Sequence, residues 1–122
     1  RFTFNSPTWA ACSTVKNGSR KYSSSGAAKG SYGDRAPFIP ISSTKSMIGH
    51  TQGAASAHQM VVLCMTLRDQ IIHPTINYQN PDPECDLDYV PDRARTGASF
   101  DAAMSNSFAF GGTNAVIALK AV

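Results

Sequence analysis

Ser43-Thr44-Lys45-Ser46-Met47-Ile48-Gly49-His50 is the stretch that decides how this chain is interpreted. The short apolar run before it, 38–42, is bounded by hydroxyl residues and predicts a buried strand. The small residues after it predict the start of a helix. Lys45 and His50 therefore lie where a buried strand gives way to a helix. Two titratable side chains at such a position suit acid–base chemistry and the stabilisation of an oxyanion.

The rest of the chain divides by pattern. Apolar residues cover nearly all faces of 51–70, which predicts a helix buried on most sides. The stretch 71–99 carries many prolines and Asx residues and predicts loops with short extended pieces near Ile76 and Tyr89. Two runs, Ala102–Phe108 and Ala115–Val122, flank a glycine-rich turn and predict an antiparallel hairpin.

Composition limits the function classes. With 122 residues and 42% hydrophobic content the chain can form one small core. The net charge of +3 comes from scattered basic residues, which argues against nucleic-acid binding. The longest apolar run, Met60–Leu67, is too short to span a membrane. No membrane association is expected.

The three cysteines have no paired spacing, which excludes a disulfide framework and a metal site such as a zinc cluster and fits a reducing cytoplasm. Cys64 and Cys85 are interpreted as buried or structural thiols.

Several motifs in a fixed order resemble the carboxy-terminal half of β-ketoacyl-acyl carrier protein synthases, condensing enzymes of the thiolase-like superfamily. The resemblance covers Ile39–Val122 and implies an α/β, thiolase-like layered fold, here the later part of its second repeat. Because the family uses roughly three times this length, we interpret the chain as a fragment. Its parts are a divergent or irregular segment, 1–37, and a partial synthase domain, 38–122. Besides 43–50, the motifs are Pro74-Thr75-Ile76-Asn77, the run from Asn80 to Pro91, and Ser105-Asn106-Ser107-Phe108.

Two residues of the stretch 43–50 match family active-site positions. His50 matches the second active-site histidine, which assists decarboxylation of the malonyl group, and Lys45 matches the active-site lysine. Without the resemblance, a histidine at a helix start is more often structural, and a lysine is solvated by default. In the family a glutamate nine residues after the histidine pairs with the lysine. Here Gln59 fills that slot; its amide can accept a hydrogen bond from the ammonium but cannot balance the charge.

The downstream aromatic segment, Phe108–Asn114, resembles the family's substrate gate and oxyanion loop. Its second aromatic, Phe110, matches the gate beside the nucleophile. Gly111 and Gly112 match glycines that let the loop move and offer backbone N–H groups to an oxyanion. Ala109 replaces the usual glycine between the two aromatics, Phe108 and Phe110, and predicts a stiffer gate. Taken alone, the segment is a hairpin turn.

Two essential family positions have no counterpart. The nucleophilic cysteine of the family lies far upstream of the histidine, and Cys12 is rejected because it stands only 38 residues before His50. The first active-site histidine falls on Ala10. Either that histidine has been lost or the sequence of residues 1–37 is corrupted. The chain by itself is therefore expected to be inactive.

The resemblance implies acyl transfer to a cysteine, decarboxylation of malonyl-carrier protein and Claisen condensation, in fatty acid or polyketide synthesis. It implies no cofactor, because the substrate is a thioester on the phosphopantetheine arm of acyl carrier protein. The implied partners are acyl carrier protein and, in the full-length protein, a second copy in a homodimer.

Two other functions stay open. A non-catalytic, chain-length-factor-like homologue that partners an active synthase is favoured by Ala10, Gln59 and Ala109 and opposed by Lys45 and His50. A small independent binding module has only the short length in its favour.

Overall fold

The structure of the chain is a computed structural model that describes residues 11–12, 24–83, 85–109 and 111–122. Three strands form one sheet in the order β1-β2-β3, with β1 parallel and β3 antiparallel to β2. Within these ranges no helix is both long and apolar enough to cross a membrane. The elements in chain order are β1 Ala11–Cys12, α1 Ser24–Tyr32, a 3-10 helix Gly33–Phe38, α2 Lys45–Ile48, a 3-10 helix Gln52–Ala54, α3 Ala55–Asp69, β2 Ala102–Phe108 and β3 Asn114–Lys120.

The carboxy-terminal hairpin confirms its prediction. β2 and β3 pair over their whole lengths, from Ala102 opposite Lys120 to Phe108 opposite Asn114. On β2 the side chains of Ala103 and Ser105 are buried, at 0% and 3% exposure. Because side chains alternate along a strand, this face of β2 is the one that meets α3.

Helix α3 is less buried than its sequence predicts. Its buried side chains, Gln59, Leu63 and Thr66, are spaced by four and three residues and so form one stripe. Val61 and Met65 on other faces are 57% and 46% exposed. The prediction of burial on most sides was wrong, because β2 and β3 are the strands that α3 packs against in the described residues, and they cover one face.

Part of the segment predicted to be irregular is helical. Helix α1 and the 3-10 helix after it fill 24–38. Ala28 and Ala36 are buried there against Ile41 and Leu87. These small side chains carry no clear period, so the helix is stabilised by close packing against distant residues rather than by its own amphipathic pattern.

The predicted strand 38–42 is not a strand. Its first residue ends a 3-10 helix, and the chain then runs extended with a 2.7 Å hydrogen bond from the Ile41 N–H to the Asp88 carbonyl. Pro37 and Pro40 have no N–H group to donate to a strand ladder. The segment still delivers the next residues from a buried position, as expected.

The proline-rich stretch is mostly loop with short bridges, as predicted. Ile72 and Arg95 exchange two backbone hydrogen bonds of 2.9 Å, and Thr75 bridges to Pro91. Ile72 is 1% exposed and packs with other buried side chains into a second core cluster. The paired loops 72–76 and 90–95, here called the platform, lie against the 42–46 segment.

Large apolar side chains on the surface predict association of this chain in solution. Phe38 is 76% exposed, Val61 and Val116 57%, and Ile48 51%. Exposed apolar side chains of this size bind hydrophobic dyes and each other. We expect enhanced fluorescence of an anilinonaphthalene dye and oligomers in light scattering, both reduced by Val61→Lys. A dye-silent monomer would contradict this expectation.

Candidate active site

Lys45 begins the single helical turn α2. The turn follows Thr44, whose carbonyl accepts the Met47 N–H at 3.1 Å, and it closes with a 3.0 Å bond from the Gly49 N–H to the Lys45 carbonyl. The Lys45 side chain is half-buried. Among the described residues its ammonium has no hydrogen-bond or ion-pair partner. The amine is therefore positioned by its backbone and open to a further acceptor.

Gly49 turns the chain from Lys45 to His50. Its φ of 75° and ψ of −176° lie in a region that essentially only glycine occupies. No heavy atom lies within 4 Å of a Cβ built at this position, so the requirement is for backbone freedom rather than for space. The glycine lets His50 leave α2 and lead into the 3-10 turn at Gln52, ahead of α3.

The ring of His50 accepts a hydrogen bond from the backbone. The backbone N–H of Gln52 donates to His50 Nδ1 at 3.3 Å. An acceptor nitrogen carries no proton, so the neutral ring carries its hydrogen on Nε2. The side chain is exposed. With Nδ1 accepting, the nitrogen that His50 can offer as a donor is Nε2.

Gln59 is 2% exposed and joins α3 to β2. Its Oε1 accepts hydrogen bonds from Ser105 Oγ at 3.0 Å and from Ser107 Oγ at 3.1 Å. Ser56 Oγ lies 3.2 Å from Ser107 Oγ and donates to it, because the single Ser107 hydrogen is already directed at Gln59. The oxygen expected to accept from Lys45 is therefore occupied by strand hydroxyls. In the part of the chain that the structure describes, Gln59 Nε2 has no partner.

The hairpin tip holds the candidate gate and oxyanion loop. Phe108 ends β2 and is 39% exposed. The Ala109 N–H donates to the Thr113 carbonyl at 2.9 Å, and the Gly112 N–H donates to the Ala109 carbonyl at 3.3 Å. Gly111 and Gly112 have φ of 85° and 84°, which the turn requires. In this conformation the Gly112 N–H is used in a hydrogen bond within the turn and is not directed at an oxyanion.

The structure brings some predicted site residues together and leaves others unplaced. Lys45 and His50 flank one turn, and Gln59 connects the helix after His50 to the strand that ends at Phe108. Phe110 and Ala10 lie outside the described residues.

Sequence analysis assigned no role at the site to three residues that bond to its parts, namely Ser105, Ser107 and His73. Ser105 and Ser107 are two residues apart and so lie on the same face of β2. This spacing was visible in the sequence, but it did not show which helix the two hydroxyls would contact. His73 lies beneath the Lys45 segment, where a proline-rich loop gave no reason to single it out.

The described side chains include two cysteines and no metal-binding cluster. Cys64 is exposed and Cys85 half-buried, and both are free thiols. Of the interpretation of Cys64 as a buried or structural thiol, burial is contradicted, because Cys64 lies on an uncovered face of α3. Among the described side chains no group of three or more His, Cys, Asp and Glu could hold a metal ion.

Comparison with known families settles the relationship. Residues 22–79 match the family model of the β-ketoacyl synthase C-terminal domain. The match includes the whole turn from Lys45 to His50, and Gln59. Over these residues the chain is similar to the β-ketoacyl synthase family.

Curated β-ketoacyl synthases and related proteins resemble the chain over most of its length. It is 50% identical over 96 residues to 3-oxoacyl-[acyl-carrier-protein] synthase 2 of Coxiella burnetii, which covers 79% of this chain and 23% of the relative. It is 50% identical over 91 residues to Nodulation protein E of Rhizobium meliloti, covering 75% of this chain and 22% of that one. The chain thus spans under a quarter of the length of these relatives.

Solved ketosynthases share the fold. One is in a complex of a type II polyketide synthase acyl-carrier protein with its ketosynthase bound to the hexaketide, at TM-score 0.85 and 39% identity. Another is the ishigamide ketosynthase/chain length factor, at TM-score 0.83 and 36% identity. Each comparison covers 93% of this chain and 28% of the solved one. The fold is therefore thiolase-like, as expected, and the chain corresponds to part of it.

Proposed function

We propose that this chain supplies the carboxy-terminal active-site residues of a β-ketoacyl-acyl carrier protein synthase. The reaction is decarboxylative Claisen condensation of an acyl thioester with malonyl-acyl carrier protein, in fatty acid or polyketide synthesis. The observation that carries the proposal is the tautomer of His50. The Gln52 N–H occupies Nδ1, so the ring offers an Nε2–H donor.

An Nε2–H donor at this position suits decarboxylation. When the bond between the malonyl carboxylate and its α-carbon breaks, carbon dioxide leaves and the electron pair moves onto the thioester oxygen as an enolate. The His50 Nε2–H stabilises that oxygen without a proton having to be taken up first. The enolate carbon then attacks the acyl carbon on the nucleophilic cysteine of the whole enzyme. The bond between the acyl carbon and the cysteine sulfur breaks, and the cysteine leaves as a thiolate. Such preorganised donors are effective because they need no reorganisation during the reaction.

Other residues take supporting roles in this proposal. Lys45 adds positive charge close to the same turn, with Gln59 in the slot of its usual partner. Phe108, Phe110, Gly111 and Gly112 form the gate and oxyanion loop. The substrate thioester arrives on the phosphopantetheine arm of acyl carrier protein, and the whole enzyme is a cytoplasmic homodimer that needs no cofactor.

A chain-length-factor-like role is the second candidate. Gln59 supports it, because the amide is bonded to two strand hydroxyls and brings no charge to balance Lys45. The similarity to the ishigamide ketosynthase/chain length factor fits either role. The two candidates differ in one measurable property, the release of carbon dioxide.

The test uses a hybrid synthase, defined as the Coxiella burnetii synthase in which the residues that correspond to 38–122 are replaced by those of this chain. We expect the hybrid synthase to release carbon dioxide from malonyl-acyl carrier protein, because the parent supplies the cysteine and the first histidine. Carbon dioxide is measured by coupled assay on protein confirmed as folded by circular dichroism.

A folded hybrid synthase without decarboxylation, beside an active parent, would favour the chain-length-factor role. The 122-residue chain alone serves as the negative control, because it has no nucleophilic cysteine at the right spacing. Carbon dioxide release by that chain alone would contradict the proposed division of roles.

A further inference from the structure

His73 lies directly beneath the segment that carries Lys45. Its Nε2 is 3.0 Å from Ser42 Oγ and 3.3 Å from Thr44 Oγ1. Both hydroxyl residues are 3% exposed, so these contacts are shielded from water. A buried hydroxyl that loses a hydrogen bond is costly, so the ring stabilises the placement of both residues.

The direction of these bonds follows from the other ring nitrogen. His73 Nδ1 lies 3.2 Å from the carbonyl oxygen of Pro74, which can only accept. Nδ1 therefore carries the hydrogen, and in the neutral ring Nε2 is an acceptor. Ser42 donates to its one lone pair at the shorter distance, and Thr44 shares that lone pair as the weaker donor. Burial lowers the pKa of His73, more than the Pro74 hydrogen bond raises it, which keeps the ring in this neutral form.

Two further bonds join the same pair of segments. The Ser43 N–H donates to Thr75 Oγ1 at 3.0 Å, and the Ile76 N–H donates to Ser46 Oγ at 3.1 Å. Residues 42–46 are thus joined to 73–76 at successive positions. Among these contacts between 42–46 and 73–76, those of His73 have a ring nitrogen as the acceptor.

The platform beneath is itself fixed. The Thr75 N–H donates to the Val90 carbonyl, and the Asp92 N–H donates to the Thr75 carbonyl, each at 2.9 Å. Val90 is 1% exposed and has φ of 48°, an unusual value for a β-branched residue. Such strain persists where the surrounding structure over-determines it, so 73–76 is a rigid base.

We propose that His73 is a positioning residue for the active-site turn. By accepting from Ser42 and Thr44 at one ring nitrogen, it holds the residue that precedes α2, and through that turn it sets the placement of Lys45, Gly49 and His50. The role in catalysis rests on the function proposed above, whereas the role in holding the turn does not. A histidine that merely fills space beneath the turn would not affect the state of the His50 ring.

The test uses the full 122-residue chain labelled with 15N-histidine, which contains only His50, His58 and His73. Imidazole 15N shifts, in solution or on sedimented protein, report which nitrogen carries hydrogen. We expect hydrogen on Nδ1 of His73 and on Nε2 of His50. Hydrogen on Nε2 of His73 in the unsubstituted chain would overturn the proposal without any variant.

Two substitutions then separate positioning from packing. His73→Gln keeps an acceptor near the position of Nε2, whereas His73→Leu fills the space without one. We expect His50 to keep its single tautomer in His73→Gln and to show mixed tautomers in His73→Leu. Unchanged His50 signals in both variants would overturn the proposal, and so would equal loss in both.

These measurements need no catalysis. If the His50 and His73 signals behave as expected while the hybrid synthase releases no carbon dioxide, the proposed function fails and the positioning role stands. If the hybrid synthase is active and the His50 signals are the same in both His73 variants as in the unsubstituted chain, the positioning role fails and the proposed function stands.

Discussion

Replacing His50 by alanine is expected to lower malonyl decarboxylation by the hybrid synthase by about 10²–10³-fold, the typical cost of losing one oxyanion donor. Acyl transfer to the cysteine should be much less affected, because the first histidine supplied by the parent remains. The reason is the Nε2–H donor, which the Gln52 N–H holds in place through Nδ1. Carbon dioxide release and acyl-enzyme formation are measured separately, by coupled assay and mass spectrometry.

Two variants act as controls for this prediction. His50→Gln offers an amide N–H near the position of Nε2 and should recover part of the decarboxylation. His58→Ala removes an exposed histidine of α3, whose Nδ1 lies 3.1 Å from Thr51 Oγ1, and should leave both steps near the level of the hybrid synthase. Equal losses of loading and decarboxylation in His50→Ala would assign this residue a different role.

The features predicted correctly from sequence are those encoded locally. The sequence predicted that Lys45 and His50 lie at the start of a helix, and the structure places both ahead of α3. The hairpin followed from alternation on either side of a glycine pair, and β2 and β3 pair as predicted. In each case the residues that form the feature are neighbours in the chain.

The features predicted wrongly depend on distant residues. Helix α1 has little pattern of its own and is stabilised by packing of Ala28 against Ile41 and Leu87. The segment 38–42 has strand-like side chains, but Pro40 within it has no N–H group to donate to a ladder. Sequence alone could not show which apolar faces of α3 would be covered.

The candidate site divides in the same way. Motif resemblance pointed to Lys45 and His50, which the structure places at either end of one turn. It gave no indication that Gln59 would bond to Ser105 and Ser107, because those partners lie 46 and 48 residues away. Nor did it indicate His73, whose contacts span 31 and 29 residues.

Replacing Gly49 by alanine is expected to destabilise the hybrid synthase by about 1–3 kcal/mol, the usual cost of holding a non-glycine residue in a region reserved for glycine. The cost comes from the backbone and not from a clash, because no heavy atom lies within 4 Å of the added Cβ. If the turn relaxes to relieve this strain, the Gly49–Lys45 backbone bond and the direction of the His50 ring change together. The melting temperature and the decarboxylation rate should therefore both fall.

Gly53→Ala is the matched control, four residues further along the chain. Gly53 also has no heavy atom within 4 Å of an added Cβ, but it lies in the 3-10 helix Gln52–Ala54 without a positive φ. There alanine restricts the unfolded chain and should stabilise the protein by about 0.4–1 kcal/mol. The two substitutions add the same methyl group, so opposite shifts in melting temperature isolate the backbone requirement at Gly49. Equal shifts would mean that the turn tolerates an ordinary residue, and that something other than this glycine aims His50 at the substrate.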